Sequence, residues 1–143
     1  MELPTPPHPL MLPVLATATY LAALIAVWGF TSLVLDTDVI VDKDASRLVG
    51  PSMAAAAALV VLLALRSLGG RASPWWTAVA ASTLSYGAML LAAAIARGVD
   101  AADPLTGLAF AATYAASPFT ILPALLAGLV AVGAWAALRA KGI

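Results

Sequence analysis

The chain has no cysteine and only one histidine, His8, in 143 residues. Without cysteine there are no disulfides, thiolate nucleophiles or cysteine-ligated metal and iron–sulfur centres. A lone histidine cannot pair with a second to ligate a metal, and it makes a serine–histidine nucleophile arrangement untenable. Charge is also scarce. Only 10% of residues are Asp, Glu, Lys or Arg, against about 25% in a soluble domain. The seven acids and seven bases cancel, so no basic surplus is available to neutralise phosphates and a nucleic-acid partner is disfavoured. No phosphate-cradling glycine loop or dinucleotide fingerprint is present, and no lipidation motif.

What is present is apolar. Hydrophobic residues make up 63% of the chain, and Ala and Leu alone supply 35 and 24 residues. Intrinsic disorder and an ordinary water-soluble fold are both excluded. A spanning helix takes roughly 20 apolar residues, so the expected fold class is all-α: a four-transmembrane-helix bundle in one membrane domain covering residues 1–143. The first thirteen residues carry Glu2 and no Lys or Arg, unlike the basic start of a secretory signal. The segment that follows is read as a retained first span.

Span 1 is expected at residues 14–35, started by Pro13 and ended by Asp36, behind an extended tail with Pro4, Pro6, Pro7 and Pro9. Span 2 is expected at 51–66, with Pro51 at the first helical position, where its missing N–H costs nothing. Span 3 is expected at 74–96, with Ser73 as N-cap, and the Gly69–Gly70 turn makes spans 2 and 3 an antiparallel hairpin. The next uncharged run, residues 105–138, would be about 51 Å long as one helix, too long for a core of about 30 Å. Only Pro118 and Pro123 can divide it. Span 4 is placed at 118–138, and residues 104–117 form a short interfacial helix, with a re-entrant segment or a fifth span as alternatives.

The loop of residues 36–50 holds six of the fourteen charged residues. Asp36, Asp38, Asp42 and Asp44 are the only candidate metal ligands, and weak ones. The helix–loop–helix calcium pattern fails at Val41, where glycine is needed, and at Arg47, where glutamate is needed. The expectation is a solvated acidic loop whose apolar centre, Val39–Ile40–Val41, pairs as a strand or covers the end of the bundle. No catalytic residue and no cofactor are expected.

No ionisable residue falls inside a span, where such groups are costly and usually functional. A proton-coupled exporter, a proton relay and a voltage sensor are therefore unsupported. The internal polar groups are hydroxyls: Thr17, Thr19 and Tyr20 in span 1, Ser82, Thr83, Ser85 and Tyr86 in span 3, and Thr113 and Tyr114 before span 4. Their expected role is interhelical hydrogen bonding rather than a polar pathway. Small residues recur at helical spacing. They are Ala18, Ala22 and Ala26 in span 1, then Ala81, Ser85, Ala88, Ala92 and Ala96 in span 3, then Ala124, Gly128, Gly133 and Ala137 in span 4. Such faces let helix backbones approach closely, so Ala88→Leu should harm assembly more than Leu84→Ala.

Basic residues place both termini in the cytoplasm. Arg66, Arg71, Arg139 and Lys141 share the terminal side, while Lys43, Arg47 and Arg97 lie on the other side among aspartates. Trp75, Trp76 and Trp135 fall at the terminal-side interface and Trp28 nearer the opposite one, as belt tryptophans do.

The runs FTSLVLDTDVI and KDASRLVGPSMAAAAALV, within residues 14–66, resemble a family of small four-span actinobacterial membrane proteins of unknown function. The resemblance implies a bacterial inner-membrane location and brings no activity, cofactor or catalytic residue. The expected role is a noncatalytic accessory or interaction subunit, in contact with the lipid bilayer and with another membrane protein or a second copy of itself. A small oligomeric transporter or channel is the alternative.

Overall fold

A computed structural model describes residues 10–67 and 73–140. The proline tail, His8, Gly69–Gly70, Arg71 and Lys141 lie outside them. Five helices account for most of the described chain: α1 (Met11–Leu35), α2 (Val49–Arg66), α3 (Pro74–Ala101), α4 (Pro104–Tyr114) and α5 (Pro118–Ala140). All except α4 are long and apolar enough to cross a membrane. No strand occurs among the described residues.

The helix starts differ from expectation at two prolines. α1 begins at Met11 and α2 at Val49, so Pro13 and Pro51 each sit third in their helix. The first turn of a helix has no intrahelical use for its N–H groups, and a proline anywhere within it is therefore tolerated. α1 stops at Asp36, which turns left-handed (φ 50°). There the Thr37 N–H reaches the Ser32 carbonyl at 3.2 Å and the Ser32 hydroxyl donates to the Thr37 carbonyl at 2.6 Å.

α3 runs five residues beyond the expected end and takes in Arg97 and Asp100. Nothing in Arg97–Gly98–Val99–Asp100 breaks a helix, and termination waits for the left-handed Ala102 (φ 52°) and the Asp103–Pro104 pair. Asp103 then caps α4, its carboxylate accepting from the Leu105 and Thr106 amides at 3.1 Å each and from the Thr106 hydroxyl at 2.6 Å. Residues 104–117 do contain the short helix, and it folds back against α3. At their contact a Cβ on Gly107 would strike the Ala94 carbonyl oxygen and come within 2.9 Å of the Gly98 backbone. Only glycine permits this approach. Farther along, the Tyr86 hydroxyl donates to the Ala115 carbonyl at 2.6 Å.

α3 is the hub, packed against α2, α4 and α5, and α1 packs on α2 and α5. Tyr20, Leu24, Met53 and Met89 are completely buried where these helices meet. Burial on α3 follows Ala81, Ser85, Met89 and Ala93, while Ala88 and Ala92 are half-buried. Ala88 lines a shallow groove with Val60 and Leu63 of α2, so a larger side chain has room there and the tight face passes through Ala81. On α5 the small residues Ala124, Ala127, Gly128, Ala131 and Ala134 face inward, and Gly128 abuts Ser82 and the Ala78 backbone of α3. Gly133 has nothing within 4 Å. The small stripe of α1 faces outward: Ala18, Ala22 and Ala26 are exposed, and Gly29 also borders open space.

Candidate functional site

Polar side chains concentrate at two places: across the waist of the bundle, and under the loop that joins α1 to α2. The waist is organised by Pro123, inside α5. A prolyl nitrogen has no hydrogen, so the carbonyl four residues earlier loses its donor. That carbonyl belongs to Phe119, and the Trp28 indole N–H donates to it at 2.7 Å. The Tyr20 hydroxyl donates to the Pro123 carbonyl at 3.2 Å and lies 3.3 Å from the Ser85 hydroxyl. Trp28 is thus a buried bridge between helices, where the sequence placed it in an interfacial belt. Trp75 and Trp76 are exposed as expected of belt residues, and the Arg139 guanidinium sits 4.9 Å from the centre of the Trp135 ring.

The hydroxyls found by sequence divide by use. Thr17 and Thr19 return their protons to carbonyls one turn earlier in α1, at 2.8 and 2.9 Å, and Thr113 does the same in α4 at 2.7 Å. Tyr20, Ser85, Tyr86 and Tyr114 make the cross-structure bonds. Sequence reading missed Thr120, which is fully buried with no partner for its Oγ1 among the described residues. It also missed Trp28 as a donor. The signal was available for Trp28: a proline within an apolar helix announces an orphan carbonyl, and an indole is a donor without an acceptor role.

The second cluster lies at the loop end. The four aspartates do not converge. Asp36 ends α1, Asp38 is exposed, and Asp42 and Asp44 stand close because the Asp44 amide donates to Asp42 Oδ1 at 2.9 Å. Among the described residues no three His, Asp or Glu side chains gather as metal ligands. Three bonds instead tie the loop to the α3–α4 hairpin. Arg97 Nε donates to Asp42 Oδ2 at 3.0 Å, the Val41 amide to the Tyr114 hydroxyl at 2.8 Å, and the Ser46 amide to Asp100 Oδ2 at 3.0 Å. Val39 and Ile40 pack against the core, so the apolar centre of the loop covers the bundle end and forms no strand.

Beside these ties lies a cavity of about 670 Å³. Asp42 and Arg97 supply its charged lining, Tyr114 and the hydroxyl residues Thr37, Thr106, Thr113 and Ser117 the rest of its polar lining, and Leu35, Ala109, Phe110 and Phe119 its apolar wall. The ion pair is largely shielded, with the Arg97 side chain 13% exposed and that of Asp42 30%. Burial pushes the Tyr114 phenol above its ordinary range. The Val41 amide opposes that shift and the nearby Asp42 charge adds to it. The phenol therefore keeps its proton.

Comparison with known proteins places the chain among relatives whose role is open. Residues 8–142 match the family described as "Family of unknown function (DUF6121)", and the chain belongs to that family. No curated protein and no solved structure matches it.

Proposed function

We propose that this family member is a noncatalytic accessory subunit of the bacterial cytoplasmic membrane, acting through helix packing against another membrane protein. One observation carries the reading: the interior of the bundle is filled. Tyr20, Leu24, Met53 and Met89 are fully buried at its centre, and the Tyr20 and Ser85 hydroxyls are occupied in holding α1, α3 and α5 together. Function then belongs to the surface. The outward stripe of α1, through Ala18, Ala22, Ala26 and Gly29, is where a partner helix could approach most closely. The absence of an acid–base pair at the waist supports a role without catalysis.

Native mass spectrometry after mild-detergent extraction, with a tag on the C-terminus, tests this. A stoichiometric foreign subunit that is lost on Ala22→Leu supports the accessory role. A clean homo-oligomer would overturn it in favour of an oligomeric transporter, to be examined by liposome flux with Ser82→Ala/Ser85→Ala as the control.

The orientation proposed is both termini in the cytoplasm. Its support is the count of basic residues: Arg66, Arg71, Arg139 and Lys141 belong to the terminal side, and Lys43, Arg47 and Arg97 to the other, four against three. Since the chain lacks cysteine, one cysteine at Ser46 or Ser67 can be labelled in intact cells with an impermeant thiol reagent. Labelling at Ser46 alone is expected, and labelling at Ser67 alone would reverse the topology.

A further inference from the structure

The cavity under the loop is built at the wrong depth for a pore and the right depth for a lipid head. Arg97 follows Trp76 by 21 residues, about 32 Å along a helix, while a hydrocarbon core measures about 30 Å. With Trp76 at one interface, Arg97 stands at the other, at the level of the lipid phosphates. Its neighbours retain unused bonding capacity. A guanidinium has five N–H donors, and among the described residues Arg97 spends only its Nε, on Asp42. A carboxylate has about four acceptor positions, and Asp42 has two filled, by Arg97 Nε and the Asp44 amide. The Tyr114 oxygen accepts from Val41, and its own proton has no acceptor among the described residues. One cation with spare donors thus lies beside one anion with spare acceptors, above an apolar wall of Leu35, Phe110 and Phe119.

We propose that this cavity binds the headgroup of a zwitterionic phospholipid from the surrounding bilayer. The phosphodiester lies on the Arg97 Nη groups and the Tyr114 hydroxyl, the ammonium lies on Asp42, and the acyl chains leave along the apolar wall. Charge decides between headgroups. Next to Arg97 alone an anionic lipid would suffice, but Asp42 repels a second anion and gives a primary ammonium a partner. A volume of about 670 Å³ lies within the usual range for small-ligand sites, about 300–1,000 Å³. It suits a head with its glycerol rather than a whole lipid.

The test uses the full-length chain in mild detergent and native mass spectrometry. Phosphatidylethanolamine and phosphatidylglycerol of identical chains are titrated, with glycerophosphoethanolamine as the head without tails. The wild type should prefer phosphatidylethanolamine. Arg97→Gln should weaken both lipids about tenfold or more, as loss of a charge-assisted hydrogen bond predicts. Asp42→Asn should reverse the preference, weakening phosphatidylethanolamine and strengthening phosphatidylglycerol, an inversion that mere loosening of the loop would not produce. Tyr114→Phe, which preserves the ring packing and costs the loop only the Val41 hydrogen bond, should weaken phosphatidylethanolamine while helicity is retained and melting falls only slightly. Preference for phosphatidylglycerol in the wild type would overturn the proposal, as would unchanged binding in Arg97→Gln or equal weakening of both lipids in Asp42→Asn. If glycerophosphoethanolamine binds as tightly as the lipid, the ligand is a soluble phosphate compound and the lipid assignment fails.

Discussion

Trp28→Phe should destabilise the protein only as long as residue 123 is proline. Pro123 removes the intrahelical donor for the Phe119 carbonyl, and the Trp28 indole replaces it at 2.7 Å in a setting where Trp28 is 9% exposed. Phenylalanine leaves that carbonyl buried and without a donor, a loss of about 1–3 kcal/mol. An ordinary interhelical hydrogen bond in a membrane contributes on average about 0.6 kcal/mol, because the separated helices find other partners. Here the usual donor, the amide four residues on in α5, is missing. In a Pro123→Ala background the alanine amide closes the ladder onto Phe119, and the indole becomes an addition rather than a necessity. The cost of Trp28→Phe should then fall, with a coupling of at least about 1 kcal/mol between the two positions. The assay is reversible unfolding in mixed micelles, followed by circular dichroism, on the wild type, both single variants and the double. If Trp28→Phe costs the same in both backgrounds, within about 0.5 kcal/mol, the indole acts by packing alone and the reasoning is wrong.

Three further outcomes are expected. Gly107→Ala should cost about 1–3 kcal/mol by overpacking, whereas Gly98→Ala, whose Cβ would meet its neighbours no nearer than 3.6 Å, should be tolerated; equal melting temperatures for the two would count against the α3–α4 contact. Ala102→Gly should raise stability by up to about 1 kcal/mol, since an alanine held at φ 52° is strained and a glycine there is not. The Thr106 hydroxyl, then the Leu105 and Thr106 amides, hold the Asp103 carboxyl below its ordinary value. The cap is therefore complete above the usual aspartate value of about 3.9 and is lost as pH falls through the lower folded value. Hydrogen exchange at the Leu105 amide should rise in that acid range, and Asp103→Ala should show the same rise at neutral pH.

The four long helices were legible because a membrane imposes length and apolarity on every span, and the chain writes both without interruption. Their ends were less so. Pro13 and Pro51 were read as first residues because proline marks a helix start, yet the entire first turn tolerates it. Arg97 and Asp100 were read as loop because charge was expected to leave the helix at the membrane edge, whereas α3 continues until Ala102 turns. The acidic loop was recognised, but its attachment was not. The Asp42–Arg97 and Val41–Tyr114 bonds join residues 55 and 73 positions apart, and no local pattern encodes such a pairing. Small-residue spacing showed that close packing occurs without showing which faces use it, since alanine is so common here that every helix carries a candidate stripe. α5 turns its stripe inward and α1 turns its stripe outward.

The indole bridge also bears on the order in which the protein can be completed. Helices leave the ribosome from α1 to α5, and α1 carries both the Trp28 donor and the Tyr20 hydroxyl long before Phe119 and Pro123 exist. Until α5 arrives, these two groups lack their final acceptors. When it arrives, it brings a carbonyl that its own helix cannot satisfy. The later helix α5 therefore makes a demand that the earlier α1 is built to answer. A chain truncated before α5 would be left with polar groups facing lipid, a form that cellular quality control can recognise as unfinished.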